Sequence, residues 1–253
     1  MIVATAVHIS RRGLMFFLLP GLSILLIYFL AAILPAVFLM RYIYNADKIE
    51  KEPPSLLLSL VFCGVGAALV AIVLESIGGK ILSALVSSNN QFYTVLWAFL
   101  VVAVVEEGAK FLFLKLRTWN DPNFNYRFDG VVYAVFVSLG FAAFENIGYV
   151  FGYGLSVAFP RAFLAIPGHM GFAVFMGSFY GRAKMFDDYG NRFAKNANLI
   201  AGYLIAVLLH GFYDTCASSG NVLSTVLFIA FVIIMYIVVI RRVKTDSAND
   251  RPI

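Results

Sequence analysis

Glu106, Glu107 and Lys110 fall within five consecutive residues, and Glu145, His169, His210 and Asp214 follow in stretches that are otherwise almost wholly apolar. Carboxylates and imidazoles can move protons, hold a metal ion or steady a developing negative charge. On a helix Lys110 shares a face with both carboxylates, at i+4 from Glu106 and i+3 from Glu107. Two adjacent carboxylates in a low dielectric do not both ionise freely. With Lys110 holding one charged, the pair can offer a general base and a protonated partner from one residue type. The structural alternative is an ion pair that ties helices together.

The other polar positions carry their own alternatives. Glu145 and Tyr149 lie one turn apart on one face, so a hydrogen bond between them that fixes helix packing competes with a chemical role. Pro167 donates no backbone hydrogen bond, which permits a kink. His169 heads an i+4 ridge of Ala173, Gly177 and Gly181, small residues that suit close helix approach, so it faces protein rather than lipid. His210 and Asp214 stand at i and i+4, where a carboxylate can orient an imidazole and fix its tautomer. A purely structural His–Asp pair is the alternative there.

These residues need elements to carry them, and the composition says which. The 253 residues are 61% hydrophobic and 13% charged, against about 25% charged in soluble domains. The apolar residues come in runs near the roughly 20 needed to span a bilayer. Seven spans are predicted, at 15–40, 55–77, 92–115, 130–152, 162–181, 197–217 and 221–240, forming one all-α transmembrane bundle over 1–253. The 92–115 span is kept despite Glu106, Glu107 and Lys110 because of its flanks, VLWAFLVVAVV and FLFL. Glu75 lies near the end of the second span, where its side chain can snorkel outward. The 78–91 stretch reads as a short interfacial helix. The apolar run after Arg11–Arg12 is too long for a signal peptide and lacks an obvious cleavage site, so it reads as the first span. Cys63 and Cys216 give no disulfide framework or CxxC motif.

The net charge of +5 sits in short loops, which points to membrane orientation rather than nucleic acid. Loops 41–54, 115–129 and 182–196 and the tail after 240 carry most of the Lys and Arg, while the other side has Arg11, Arg12, Lys80 and Arg161. The expected topology is N-terminus outside and C-terminus cytoplasmic, with Arg11–Arg12 dissenting. At 1.5 Å per residue, Glu145, His169 and His210 lie roughly 10–12 Å from the outer boundary, and Glu106 roughly 14 Å from the cytoplasmic end. Glu106 is therefore expected somewhat deeper than the rest. A charge at mid-bilayer costs roughly 3 kcal/mol on insertion scales, which makes such residues functional candidates.

The series EEGAK (106–110), DGVVYAVFVSLGFAAFENIGY (129–149), PGH (167–169) and HGFYD (210–214) resembles the signature of the PrsW intramembrane proteases, related to the CAAX-prenyl-protease and bacteriocin-processing superfamily. The match covers close to half the chain. The resemblance implies hydrolysis of a peptide bond of a membrane protein substrate, such as a membrane-anchored anti-sigma factor, in a bacterial cell membrane. Carried over from EExxxR, FxxxH and HxxxN/D, it implies that Glu106 activates water with His169. His210 and Asp214 would stabilise the oxyanion, Glu107 and Lys110 would support Glu106, and Glu145 would match the acidic residue of the following helix. Two positions depart from the pattern. The basic residue is Lys110, one place early, and Ala165 stands where Phe is expected.

Amide hydrolysis needs an activated water and a stabilised oxyanion. A carboxylate and an imidazole can supply the first and a second His the second. Alternatively His169, His210 and Glu145 or Glu106 would bind Zn2+ and lower the pKa of its water. No HExxH is present, so such ligands must converge from different spans. Metal-independent glutamate catalysis is the favoured expectation. The competing classes are a proton-coupled transporter, for which no inverted repeat is seen, and a non-catalytic scaffold, which the Glu106–Glu107 pair disfavours.

Overall fold

The computed structural model describes residues 11–253, with side chains from residue 22 onward; the side chains of Arg11 and Arg12, and with them the sign of that end, lie outside the described residues. The helices are α1 (Arg11–Ala46), α2 (Pro54–Leu85), α3 (Tyr93–Leu96), a π-helical segment (Trp97–Ala103), α4 (Val104–Thr118), α5 (Asp129–Tyr153), α6 (Ala158–Phe163), α7 (Ala165–Asp188), α8 (Arg192–Ser218) and α9 (Val222–Ala248). Among the described residues the one extended pairing is an antiparallel bridge between Tyr126 and Pro252.

Six helical stretches are long and apolar enough to cross a membrane: Leu22–Ala46, Pro54–Leu85, Asp129–Tyr153, Leu155–Asp188, Arg192–Ser218 and Val222–Ala248. The remaining predicted span is the uninterrupted run of α3, the π segment and α4, whose Glu106, Glu107 and Lys110 lower its hydropathy. Two local expectations are corrected. Residues 78–85 are not a separate interfacial helix but continue α2, because Gly78 and Gly79 lie against Val101 and Trp97 and the helix ends only at Val86. Pro167 makes no kink within a helix. It occupies the first turn of α7, where its missing N–H is not needed, and the chain breaks at Leu164 between α6 and α7.

α5 is the centre of the bundle. Of its span window 78% is buried, against 11% for α1 and 17% for α9, which turn most of their surface outward. α2 and α7 pack on its two sides, and α8 packs on α7. Two glycine crossings set these distances. A Cβ on Gly64 would lie 2.1 Å from the Val137 carbonyl oxygen, so α2 meets α5 backbone to backbone beside Gly140. Gly177 and Gly181 do the same for α7 against Gly130 and Arg127. The ridge below His169 is thus a packing face, as its spacing implies.

One end of the bundle is tied by the C-terminal tail. The Arg127 N–H donates to the Arg251 carbonyl (3.2 Å), the Ile253 N–H to Asn125 (2.8 Å), and the Phe128 N–H to Asp250 Oδ1 (2.8 Å). Asp129 Oδ2 accepts the Asn125 and Tyr126 N–H groups at 3.1 and 2.7 Å. These bonds hold the segment 125–128 immediately before α5, and so fix the start of the helix and through it the register of Glu145 at the other end.

Candidate active site

The charged residues of α4 meet the imidazoles of α7 and α8 inside the bundle. Lys110 Nζ donates to Glu106 Oε2 (3.0 Å), to Glu107 Oε1 (2.8 Å) and to His169 Nδ1 (3.1 Å). It is 2% exposed and sits 4.0 Å from the centroid of the Phe141 ring. All three ammonium hydrogens are therefore used. Because Nδ1 of His169 accepts from Lys110, its Nε2 carries the proton and donates to Glu145 Oε2 at 3.2 Å.

His210 lies between two carboxylates. Its Nδ1 is 2.9 Å from Glu107 Oε1 and its Nε2 is 3.3 Å from Asp214 Oδ2. The i,i+4 partner expected from the sequence is present, and the closer one comes from α4. Phe172 stacks on the His210 ring at 4.9 Å, and the two imidazoles stand edge to face at 5.3 Å. The Ser138 hydroxyl donates to the His169 carbonyl at 3.0 Å, a bond to the first turns of α7 that also locks its rotation against α5.

The expected difference in depth is closed by side-chain direction. Helical side chains lean toward the N-terminus of their own helix. α4 starts at the end of the bundle where α5 and α8 finish. Glu106, Glu107 and Lys110 therefore lean toward that end, while Glu145 and His210 lean back from it, and the groups meet between. Just before Glu106 the chain is π-helical over Trp97–Ala103, a geometry that recurs at functional sites, and Phe99 of that segment packs on Gly211 beside His210.

Glu145 is held by a residue that sequence reasoning left unassigned. Arg161 of α6 donates through Nη2 to Glu145 Oε2 (2.8 Å) and through Nε to Asn146 Oδ1 (2.8 Å), while Asn146 Nδ2 donates to the Ala32 carbonyl of α1 (2.8 Å). Tyr149 does not bond Glu145. It lies under the Arg161 guanidinium, 3.8 Å from ring centroid to Cζ. The sequence marks Arg161 only as an isolated basic residue outside the apolar runs.

Glu106, Glu145, Tyr149, Arg161, His169, His210 and Asp214 line one cavity of about 1010 Å³; Glu107 and Lys110 do not reach its wall. Glu107 is fully buried behind the cavity, whereas Glu106 has Oε2 on Lys110 and Oε1 free of any hydrogen bond among the described residues. A carboxylate on a cavity wall with one oxygen anchored and the other unengaged has the geometry of a general base.

Residues 52–240 match the PrsW family, described as intramembrane metalloproteases. The chain belongs to the PrsW family. It is 32% identical to Protease PrsW of Oceanobacillus iheyensis over 219 residues, 87% of this chain and 95% of that one. It is also 32% identical to Protease PrsW of Clostridioides difficile over 212 residues (82% and 86%) and to that of Bacillus subtilis over 190 residues (73% and 79%). No solved structure matches. As a PrsW-family protein the chain is an enzyme, an intramembrane protease, and an integral membrane protein of bacterial type.

The family description implies a metal, and the residues fit one by type and proximity. Glu106, Glu107, His169 and His210 each offer a ligand atom, all buried and all within 4.8 Å of one another. Imidazole nitrogen and carboxylate oxygen suit Zn2+, and Glu107 Oε2 is buried with no hydrogen-bond partner. Glu145, expected as an alternative ligand, stands outside that group and is engaged by Arg161. Lys110 donates to three of the four residues, so an ion and the ammonium compete for the same acceptors.

Proposed function

We propose that this protease cleaves a single-span membrane protein at its outer margin, with water activated by Glu106. The observation that carries the reading is the convergence of Glu106, His169 and His210 on one cavity. Glu106 Oε1 takes a proton from a water as the water oxygen bonds to the substrate carbonyl carbon. The proton returns to the amide nitrogen as the C–N bond breaks. Lys110 holds Glu106 Oε2 in place and keeps positive charge beside the carboxylate pair. His169 orients the site through Nε2–H to Glu145, and Arg161 fixes Glu145. Between two carboxylates His210 carries a proton on each nitrogen: Nδ1–H donates to Glu107 and holds the ring, and Nε2–H, turned toward Asp214, is the donor that shifts to the oxyanion. A zinc ion held by His169, His210 and the two carboxylates would add Lewis-acid polarisation of water and carbonyl.

The substrate class, an anti-sigma factor, comes from the family resemblance. The orientation, N-terminus outside and C-terminus cytoplasmic, is supported by the Lys and Arg of the loops and tail. The test is cleavage of a reconstituted single-span substrate by Glu106→Gln, His169→Ala and His210→Ala. Each abolishes cleavage while expression persists; full activity in any one removes that residue from the mechanism. Metal analysis of the purified enzyme, with activity measured with and without chelator, separates the two chemistries. Activity without bound metal supports the Lys110-neutralised site, and stoichiometric zinc with chelator-sensitive activity overturns it.

A further inference from the structure

Outside the glycine crossing, α2 and α5 diverge toward the end of the bundle that carries the cavity. Between them runs a groove of about 310 Å³ lined by Ala68, Ala71 and Ile72 on one side and Phe144, Gly148 and Tyr153 on the other. Ile72 and Tyr153 are 56% and 70% exposed on the outer surface. A Cβ on Gly148 would meet nothing within 4 Å. At its inner end the groove shares Glu75, Glu106, Glu145 and Tyr149 with the catalytic cavity. It is a lateral path from the bilayer to Glu106. A volume of about 310 Å³ holds a few residues of extended chain and not a helix about 10–12 Å across.

Glu75 stands where this path joins the cavity. Each of the other cavity carboxylates has a cationic or imidazole partner: Glu106 has Lys110, Glu145 has Arg161 and His169, and Asp214 has His210. Glu75 has no hydrogen bond or ion pair among the described residues. Lys80 lines a neighbouring groove with it but makes no ion pair to it. An unpaired carboxylate inside a span is expensive and marks a ligand or substrate pathway. Its complement is a cation brought by what occupies the groove.

We propose that Glu75 is a specificity-determining residue, binding a Lys or Arg side chain of the extended substrate segment beside the scissile bond as it enters between α2 and α5. This rests on the proteolytic reading of the site. The test uses the full chain in lipid nanodiscs, carrying Glu106→Gln so that nothing is cleaved. The probes are fluorescent peptides with one apolar helix and an outer extended segment holding Lys, Gln or Glu, the position walked along the segment. At one position the Lys peptide binds about tenfold tighter than the Gln peptide. Glu75→Gln brings that ratio to within twofold, and Glu75→Lys inverts it in favour of Glu. Gly148→Leu, which has room to fold, narrows the groove and weakens all three peptides. Equal binding of the three peptides at every position, or a Lys preference unchanged in Glu75→Gln, overturns the assignment. Failure of the proteolytic reading shows separately, as no cleavage of any peptide by the Glu106 enzyme while the binding preference persists.

Discussion

Removing the Lys110 ammonium is the perturbation that most sharply separates a built catalytic network from a set of neighbouring charges. In Lys110→Met the buried Glu106 and Glu107 lose their shared cation, and His169 Nδ1 loses its donor, from contacts of 3.0, 2.8 and 3.1 Å. Breaking a buried ion pair by deleting one partner typically destabilises by about 3–5 kcal/mol, because the other charge is left buried. Lys110→Met should fall in that range. Glu107→Gln alone leaves Lys110 with Glu106 and should lose less. In the double variant one carboxylate is gone with the cation, so the two losses should not add. Groups in one network couple by 0.5–3 kcal/mol, and the upper half of that range is expected here. The assay is SDS-titrated unfolding in mixed micelles of wild type, both single variants and the double. Additivity within about 0.5 kcal/mol would show that Lys110 and Glu107 do not share a network, and the argument for Lys110 as the internal cation would fail. Cleavage should be lost in both variants that lack Lys110, whatever the stability.

The loop between α1 and α2 should make stability fall with rising pH. Burial pushes the Glu52 carboxyl up to about 7 and the Asp47 carboxyl up to about 6. A carboxyl raised in the folded state binds its proton more tightly there than in the unfolded chain, so its contribution is present at low pH and is lost as pH rises from about 4.5 through the folded value. For Glu52 that is about 2–3 kcal/mol between pH 5 and 8, read as a drop in unfolding midpoint that Glu52→Gln flattens; an unchanged slope in that variant removes Glu52 as the cause. Gly64→Ala should lose roughly 3 kcal/mol or more, since its Cβ would meet backbone at 2.1 Å and overpacking of 1–3 kcal/mol assumes side chains that can yield. Gly152→Ala, with nothing within 4 Å, is the matched control and should be neutral or slightly stabilising.

What the sequence discloses of this site is what is local in the chain. Glu106, Glu107 and Lys110 are paired by helix geometry alone, and His210 with Asp214 likewise. The ridge of Ala173, Gly177 and Gly181 announces its own packing. The bonds that join these pieces are long-range. Lys110 and His169 are 59 residues apart, and His210 and Glu107 are 103 apart. No periodicity reports such pairings. Arg161 escaped assignment because an isolated basic residue between apolar runs looks like loop charge until α6 folds it over Glu145. The extension of α2 through residues 78–85 was hidden by Gly78, Gly79 and Lys80, which read as a helix end, although the two glycines pack on Val101 and Trp97 of the π segment. The depth gap between Glu106 and its partners on α5 and α8, Glu145 and His210, arose from counting Cα positions, whereas side chains on antiparallel helices lean toward each other.

The central claim is that Glu106 directs a water onto a peptide bond within this bundle. It is tested most directly by incubating the purified enzyme, reconstituted with a single-span substrate, in water enriched in oxygen-18. Mass spectrometry of the N-terminal fragment should find one heavy oxygen in its new carboxylate for wild type and no fragment for Glu106→Gln. A fragment formed at the wild-type rate by Glu106→Gln, or one lacking the heavy oxygen, would contradict it.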